Sequence, residues 1–432
     1  MVNCFLRIFQ KRKRPKTLVS NNVKNKYSLA TQAEAKQFHD FITLQNKNEN
    51  ENDRQYFKQL SQPIVYIMAD DENNMPQDDV YEKANIKNAV IITTFGKKDV
   101  RTINQFYFDP FTWESSHNHK GILCLCETIF EYEGLFKIEG IDKHKCLCFF
   151  DKIDNEYTQL TNQFHNKYHI LFTLQAMFVL VQRIRIFTPF EKIALYISAL
   201  IHDMGHPGFT NYHIILEHNK WATLYNDNSP LENMHIYKFF ELILSNPKYN
   251  FLSKLSPESY LRLRHMIIKN VLATDMEKHF DILKTFKDTY LYNENVDVLS
   301  VDTSCDLVNQ QVHILHHSME KKVILMQVMM KCADFSHLWA YRDMFLIMTN
   351  GLEDELFAQG DVERKLWGKV FSPMSDRNNP DYALLKNQLS FFEVMVFPLF
   401  LGMSLVCPHT IDILNRSKDN YHYMKILLSR MR

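Results

Sequence analysis

The sequence predicts an all-α protein, a compact multi-helix domain behind a weakly structured N-terminal extension. Three observations lead there. Glycine numbers 10 in 432 residues, too few for the turns and phosphate loops of sandwiches, barrels and Rossmann-type folds. From residue 104 onward apolar residues recur at i, i+3 and i+4, the spacing that lines one face of a helix. With 46% hydrophobic and 23% charged residues, the bulk of the chain has enough apolar material to fold without disulfides or metal staples. Lys+Arg is 50 and Asp+Glu is 50. That balance excludes a generally basic nucleic-acid binder and a strongly acidic tail protein. Histidine, at 19, is the first sign of chemistry.

Taken in order, residues 1–103 read as the extension. MVNCFLRIFQ precedes the basic run Lys11, Arg12, Lys13, Arg14 and Lys16, the reverse of a secretory signal. A cytoplasmic setting with free thiols is therefore expected. Cys4 with its apolar neighbours also makes the N-terminus a candidate for peripheral membrane contact. Residues 17–62 are polar and rich in Asn, Gln and Lys, as solvated segments are. Residues 63–103 hold short β-prone runs, PIVYIM and NAVIITTF, around an acidic loop. A single domain over 104–425 follows. Its helical periodicity is clearest at 120–137, 145–158, 167–185, 190–204, 231–246, 258–280, 311–333, 341–358 and 385–406. Segment 281–310 reads as an irregular connection. The run 391–407 contains Glu393 and Pro398 and is too short to span a bilayer, so a buried core helix is expected. Cys124/Cys126 and Cys146/Cys148 are spaced C-x-C inside apolar runs, which suits buried thiols better than a structural zinc site.

Three segments carry chemistry. In F-H-N-K-Y-H (164–169), the i, i+4 spacing places His165 and His169 on one helical face. In H-D-M-G-H-P-G (202–208), adjacent His202 and Asp203 follow the apolar run IALYISALI; such a pair is costly there unless partnered or metal-bound. It offers an imidazole and a carboxylate, ligand types suited to zinc and to harder divalent ions. His206 lies one turn on. In C-A-D-F-S (332–336), Asp334 ends an apolar helix with no local partner.

The order His, His-Asp, Asp resembles the HD superfamily of metal-dependent phosphohydrolases. The resemblance sharpens to the catalytic domain of the class I cyclic nucleotide phosphodiesterases. The motifs L-E-N-M-H (231–235), L-A-T-D-M-E-K-H (272–279), Q-G-D-V-E-R (359–364), S-P-M-S-D-R (372–377) and Gln388 with Phe391 all stand in that family's order. The resemblance implies hydrolysis of cAMP, cGMP or both to 5'-nucleotides, a small-molecule substrate and no nucleic-acid partner. It implies that His169, His202, Asp203 and Asp334 hold a first metal, Zn²⁺. Asp203 would bridge to a second, Mg²⁺ or Mn²⁺, whose waters His206, Glu232 and Thr274 organise. Two cations bridging one water lower its pKa towards neutrality, which supplies hydroxide in line with phosphorus. His165 would be the general acid on the leaving O3′. Gln388, Phe391, Leu352, His337 and Asn211 would face the substrate, Gln388 on the purine edge and Phe391 and Leu352 on its faces. A histidine at 337 resembles members that accept both purines, since the Gln388 amide can present either end. A homodimer is compatible with the sequence.

Three positions depart from the family pattern: Phe164 for tyrosine, Phe172 for aspartate, and Gly205 for an acidic residue. Loss of groups that orient metal ligands can weaken a site by ~10–100-fold. An active enzyme is nevertheless expected, because all four metal ligands, His165 and Gln388 are present. The alternatives are a regulatory pseudoenzyme that binds cyclic nucleotides, and another HD-type nucleotide phosphohydrolase.

Overall fold

The computed structural model describes residues 97–291, 318–378 and 384–430, all within one compact unit. Of the extension expected over residues 1–103, residues 1–96 lie outside the described residues, as does 292–310 of the expected irregular connection; residues 97–103 instead form a helix of the compact unit. Among the described residues every regular element is helical. The order begins α1 (Lys97–Ile103), α2 (Pro110–Ser116), α3 (Gly121–Tyr132), α4 (Lys143–Thr158), α5 (Lys167–Ile184) and α6 (Pro189–Ile201). Next come α7 (Asn211–Leu216), α8 (Lys220–Leu224), α9 (Pro230–Ser245), α10 (Pro257–Leu272) and α11 (His279–Tyr290). After the connection follow α12 (Met319–Asp334), α13 (Arg342–Trp367), α14 (Leu384–Phe391), α15 (Phe397–Val406) and α16 (Ile411–Arg430).

The two central helices are marked by apolar residues on every face. In α5 the run 169–181 is buried without a break, and in α6 the run 193–201. Each such aliphatic or aromatic side chain contributes ~1.5–3 kcal/mol by leaving water. Helix α5 packs on α6 and α12, α6 packs on α10, and α12 also meets α10 and α11. Local chemistry sets where the central pair starts. Asn166 caps α5 by accepting from the Tyr168 N–H at 2.9 Å. Thr188 and Glu191 form a reciprocal capping box at α6, with Pro189 in the first turn. An N-terminal cap of this kind is worth ~1 kcal/mol. This packing gathers three helix ends: the start of α5, the end of α6 and the end of α12.

The four paired cysteines of α3 and α4 are buried thiols, 0–4% exposed. Other expectations need correction. Segment 281–310 was expected to be irregular, yet α11 continues to Tyr290, because His279, Leu283 and Phe286 form a buried i, i+4, i+7 stripe. Helix α13 runs on to Trp367, past the expected end at 358. Its buried stripe there is polar, Glu355, Gln359 and Glu363, which hydrophobic periodicity does not register. Helix α16 was missed for the same reason, since Ser417 and Asn420 sit buried among Ile413, Leu414 and Met424. The expected helix 385–406 is interrupted by a wide π turn, Phe392–Val396. In an unbroken α-helix the Pro398 ring would clash with the carbonyl four residues earlier, and the wide turn relieves that. The stretch Gln388–Val406 is long and apolar enough to cross a membrane by length and composition, but more than half of it is buried inside the fold.

Candidate active site

His169 stands in the first turn of α5, its ring wholly buried. His202 and Asp203 follow the last turn of α6, and Asp334 ends α12. Their ligand atoms converge. His169 Nε2 lies 3.1 Å from His202 Nε2. Asp203 Oδ2 is 3.2 Å from each of these nitrogens. Asp334 Oδ1 is 3.2 Å from His169 Nε2 and 3.4 Å from His202 Nε2. Two imidazole nitrogens pointing at one another repel unless a proton or a cation lies between them. Ligands placed ~2.0–2.1 Å around a tetrahedral cation are ~3.3 Å apart, so these four residues match such a set. The residues therefore fit a divalent metal. Asp203 also belongs to a second group, with His165 and His206, whose potential ligand atoms all lie within 4.8 Å of one another. The carboxylate is thus shared between two clusters.

Electrostatics follow from burial and this convergence. Burial opposes charge on His202, but Asp203 and Asp334 outweigh it and hold the imidazole well above its usual range. Burial likewise opposes charge on Asp203, and the imidazoles of His202 and His165 nonetheless hold it well below the usual carboxylate range. Burial drives His206 well below its usual value and His235 down to about 4.

Beside this cluster His165 Nδ1 hydrogen-bonds Glu355 Oε1. The other oxygen of Glu355 accepts from the backbone N–H groups of Phe164 and His165, at 2.9 and 3.1 Å. Glu355 is thus held by three donors from one loop. Gly351 allows the close approach, since a Cβ there would lie 2.6 Å from the Gln163 carbonyl oxygen. The His206 ring stacks on His165 at 3.9 Å. Burial works against His165, yet Glu355 and Asp203 raise its pKa to about 9. The His165 side chain remains 24% exposed against 8% for Glu355, which leaves its far nitrogen reachable from solvent.

The remaining expected residues are distributed as follows. Asn211 donates to both oxygens of Glu232, at 3.2 and 2.9 Å, and accepts from Leu231 N–H at 2.9 Å. Its amide is committed within the protein, where it orients Glu232, rather than left free for substrate. Burial and the nearby Asp275 push Glu232 up to about 8. Thr274 donates to the Val271 carbonyl at 2.8 Å. The Phe164 ring is packed among three imidazoles, 4.9 Å from His165, 4.7 Å from His169 and 5.0 Å from His337. Phe391 packs edge-on against Phe335 at 5.3 Å, the residue after Asp334. Gln388 Oε1 and His337 Nδ1 are buried without a partner among the described residues. Leu352 is partly buried on α13, one turn before Glu355.

Two buried charged residues stand beside the site without having been expected there. Glu355 is one; its signal was the i, i+4, i+8 row of polar residues with Gln359 and Glu363 on a face that should be apolar. Lys331 is the other. It is 1% exposed and donates to the Ala273 carbonyl at 2.9 Å, next to Thr274. Burial lowers its pKa to about 8 against the pull of Asp334, Asp275 and Glu232. A lysine inside the apolar run VILMQVMMKCAD was the available sign.

The departures have structural counterparts. Phe172 packs edge-on against Phe108, and His169 Nδ1 is left buried without a partner among the described residues. Gly205 adopts φ +70°, and a Cβ there would meet the Lys238 ammonium at 2.1 Å. Lys238 donates to the Gly205 carbonyl at 3.1 Å, so the space an acidic side chain would take is held by a cation. We expect Gly205→Ala to cost ~1–2 kcal/mol through its left-handed backbone. Urea unfolding checks this; an unchanged midpoint would show that the conformation is not required.

The fold and the site define an all-helical domain with a shared His/Asp centre fit for divalent cations. The sequence matches the 3'5'-cyclic nucleotide phosphodiesterase family over residues 164–417, and the chain belongs to that family. It is 30% identical over 315 residues to a probable 3',5'-cyclic-AMP phosphodiesterase of Caenorhabditis elegans, covering 71% of this chain and 43% of that protein. A 3',5'-cyclic-AMP phosphodiesterase of Drosophila melanogaster, isoform F, is 30% identical over 343 residues, covering 78% and 48%. The chain thus spans about half the length of these relatives. The crystal structure of the phosphodiesterase domain of a RhoPDE fusion protein from Salpingoeca rosetta superposes with a TM-score of 0.66 at 23% identity. That match covers 77% of this chain and 97% of the domain, a likeness of fold.

Proposed function

We propose that the chain hydrolyses 3',5'-cyclic nucleotides, cAMP, cGMP or both, to 5'-nucleotides. The observation that carries this reading is the four-ligand convergence of His169, His202, Asp203 and Asp334 beside the His165–Glu355 pair. These four residues would hold Zn²⁺. Asp203 would be shared with Mg²⁺ or Mn²⁺, with His206, Glu232 and Thr274 holding its waters. The metals, when bound, activate water as the nucleophile and neutralise phosphate charge. The protein's own groups do the rest. His165 donates its proton to the departing O3′, and Glu355 keeps the imidazole charged and oriented for that step. Glu232, kept in place by Asn211, would hydrogen-bond water held by the second metal. Gln388 offers its buried amide to the purine edge, and Phe391 and Leu352 contact the ring faces. Gln388 Oε1 is not committed to another group among the described residues; use of both purines would need the amide to present either end. A cytoplasmic site of action is part of the proposal; Cys126, Cys146, Cys148, Cys332 and Cys407 are free thiols, as a reducing compartment favours.

The test is steady-state turnover of cAMP and cGMP by the purified chain with Zn²⁺ and Mg²⁺, using His165→Ala as control. Turnover of either nucleotide is expected. Absence of both sinks the reading. Binding without turnover would favour a regulatory nucleotide-binding role, which the unpartnered His169 Nδ1 also supports.

A further inference from the structure

Residues 103–108 lie more than fifty positions before the region matched to the family, yet they are fastened to the segment that carries Asp334 and His337. Gln175, buried on the helix of His169, donates its amide to the carbonyls of Ile103 and Gln105 at 2.8 and 2.7 Å. This anchors the strand of backbone that follows α1. The next three side chains are all aromatic. Phe106 meets Trp339 edge-on at 5.5 Å, and the guanidinium groups of Arg183 and Arg416 flank its ring at 5.3 and 5.4 Å. Tyr107 stacks flat on Tyr341 at 4.2 Å and 17°. Phe108 packs on Trp113 and on Phe172.

The partners bracket one short stretch. Asp334 ends α12, His337 lies in the tight turn Ser336–Trp339, and Trp339 and Tyr341 follow at two and four residues' remove. Trp339 is 2% exposed and donates to the Cys332 carbonyl at 3.3 Å. A turn this short transmits a shift of Trp339 to His337, because few torsions separate them. From its other side the stretch is held by Asn420, whose amide donates to the carbonyls of Leu338 and Ala340 at 2.9 Å each. The stretch is thus clamped between a buried asparagine and an aromatic strap.

We infer that residues 103–108 act as a positioning strap for the nucleotide side of the site, with Phe106 and Tyr107 setting the place of His337 through Trp339 and Tyr341. The role rests on the proposed function, with His337 facing the substrate as the family resemblance implies. Asn420 keeps the stretch folded when the strap is cut, so the expected loss is in the order of 335–341 and in nucleotide affinity.

The experiment uses the full chain and compares Phe106→Ala/Tyr107→Ala, Tyr107→Ala alone and Tyr107→Phe. Coupling through packed side chains of this kind changes affinity by ~2–30-fold. The double variant is expected to raise KM within that range, with kcat and zinc content close to wild type. Hydrogen exchange at 335–341 should accelerate by a similar factor, while α6 stays unchanged. Tyr107→Phe, which keeps the stack, should restore wild-type values. Unchanged KM and unchanged exchange at 335–341, even with a lower melting temperature, would reduce the strap to a structural contact. If the double variant does not fold, Tyr107→Ala carries the test, because Tyr107 is 59% exposed. If the wild type turns over neither nucleotide, the functional reading fails, while the exchange comparison still decides whether the strap orders 335–341.

Discussion

Glu355→Gln lowers kcat and moves the alkaline limb of its pH profile towards neutrality; this is the expected result for a carboxylate whose charge sustains the general acid. Glu355 binds His165 Nδ1 with one oxygen and two backbone N–H groups with the other. Its charge is the largest influence raising the pKa of His165 to about 9, against burial. The proposed reaction needs His165 protonated, so the rate should be sustained below that pKa and lost as pH climbs through it. Glutamine keeps the shape and removes the charge, and the limb must then fall to lower pH. His165→Ala removes the proton donor outright, and a loss of ~10²–10⁴-fold in kcat is expected. Stability has the same sign. The raised pKa of His165 contributes stability that is full below its unfolded value of about 6.5, and this is lost as pH rises through about 9. Glu355, held down to about 2, contributes stability above its unfolded value of about 4.3, lost as pH falls towards 2. A kcat profile for Glu355→Gln that keeps the wild-type alkaline limb would remove Glu355 from this role.

The second large effect is at Asp203, the carboxylate common to both clusters. Asp203→Asn keeps the volume and removes one negative charge from each. Metal-assisted charge stabilisation is worth several kcal/mol, so a fall in kcat of ~10³-fold or more is expected. Metal content measured on the purified variant should fall with it, independently of activity. The raised pKa of His202 adds a signature in the wild type. Binding a cation displaces the proton held there, so metal affinity should weaken as pH falls, and calorimetry in buffers of different ionisation enthalpy should show proton release. Full metal content in Asp203→Asn would overturn the assignment.

Much of this site was legible in the chain. A His-Asp pair at the end of IALYISALI and an aspartate ending VILMQVMMKCAD are costly where apolar periodicity puts them. That cost signals a shared ligand. His165, expected on one helical face with His169, instead lies in the loop before α5, which Asn166 caps. Asp203's double membership also suits the bridging role the family resemblance implied. Asn211 shows the limit: its motif position suggested substrate, whereas its amide is committed to Glu232, twenty-one residues away. Glu355 was invisible as a partner of His165 because the two are separated by 190 positions and no short motif spans such a distance. Its row with Gln359 and Glu363 was readable only as an oddity.

By itself, then, the sequence determined the helical class and the ligand types of the site. These depend on local spacing, which helix geometry converts into faces without reference to the remainder of the chain. Tertiary structure alone decided which carboxylate charges His165, that Lys331 lies beside Ala273, that Phe172 faces Phe108, and that an aromatic strap fastens the turn holding His337. Periodicity states which face of a helix is buried. Which other face it meets is settled only when all the helices pack at once, because many pairings of apolar faces are nearly equivalent until side-chain shape and buried charge must be satisfied together.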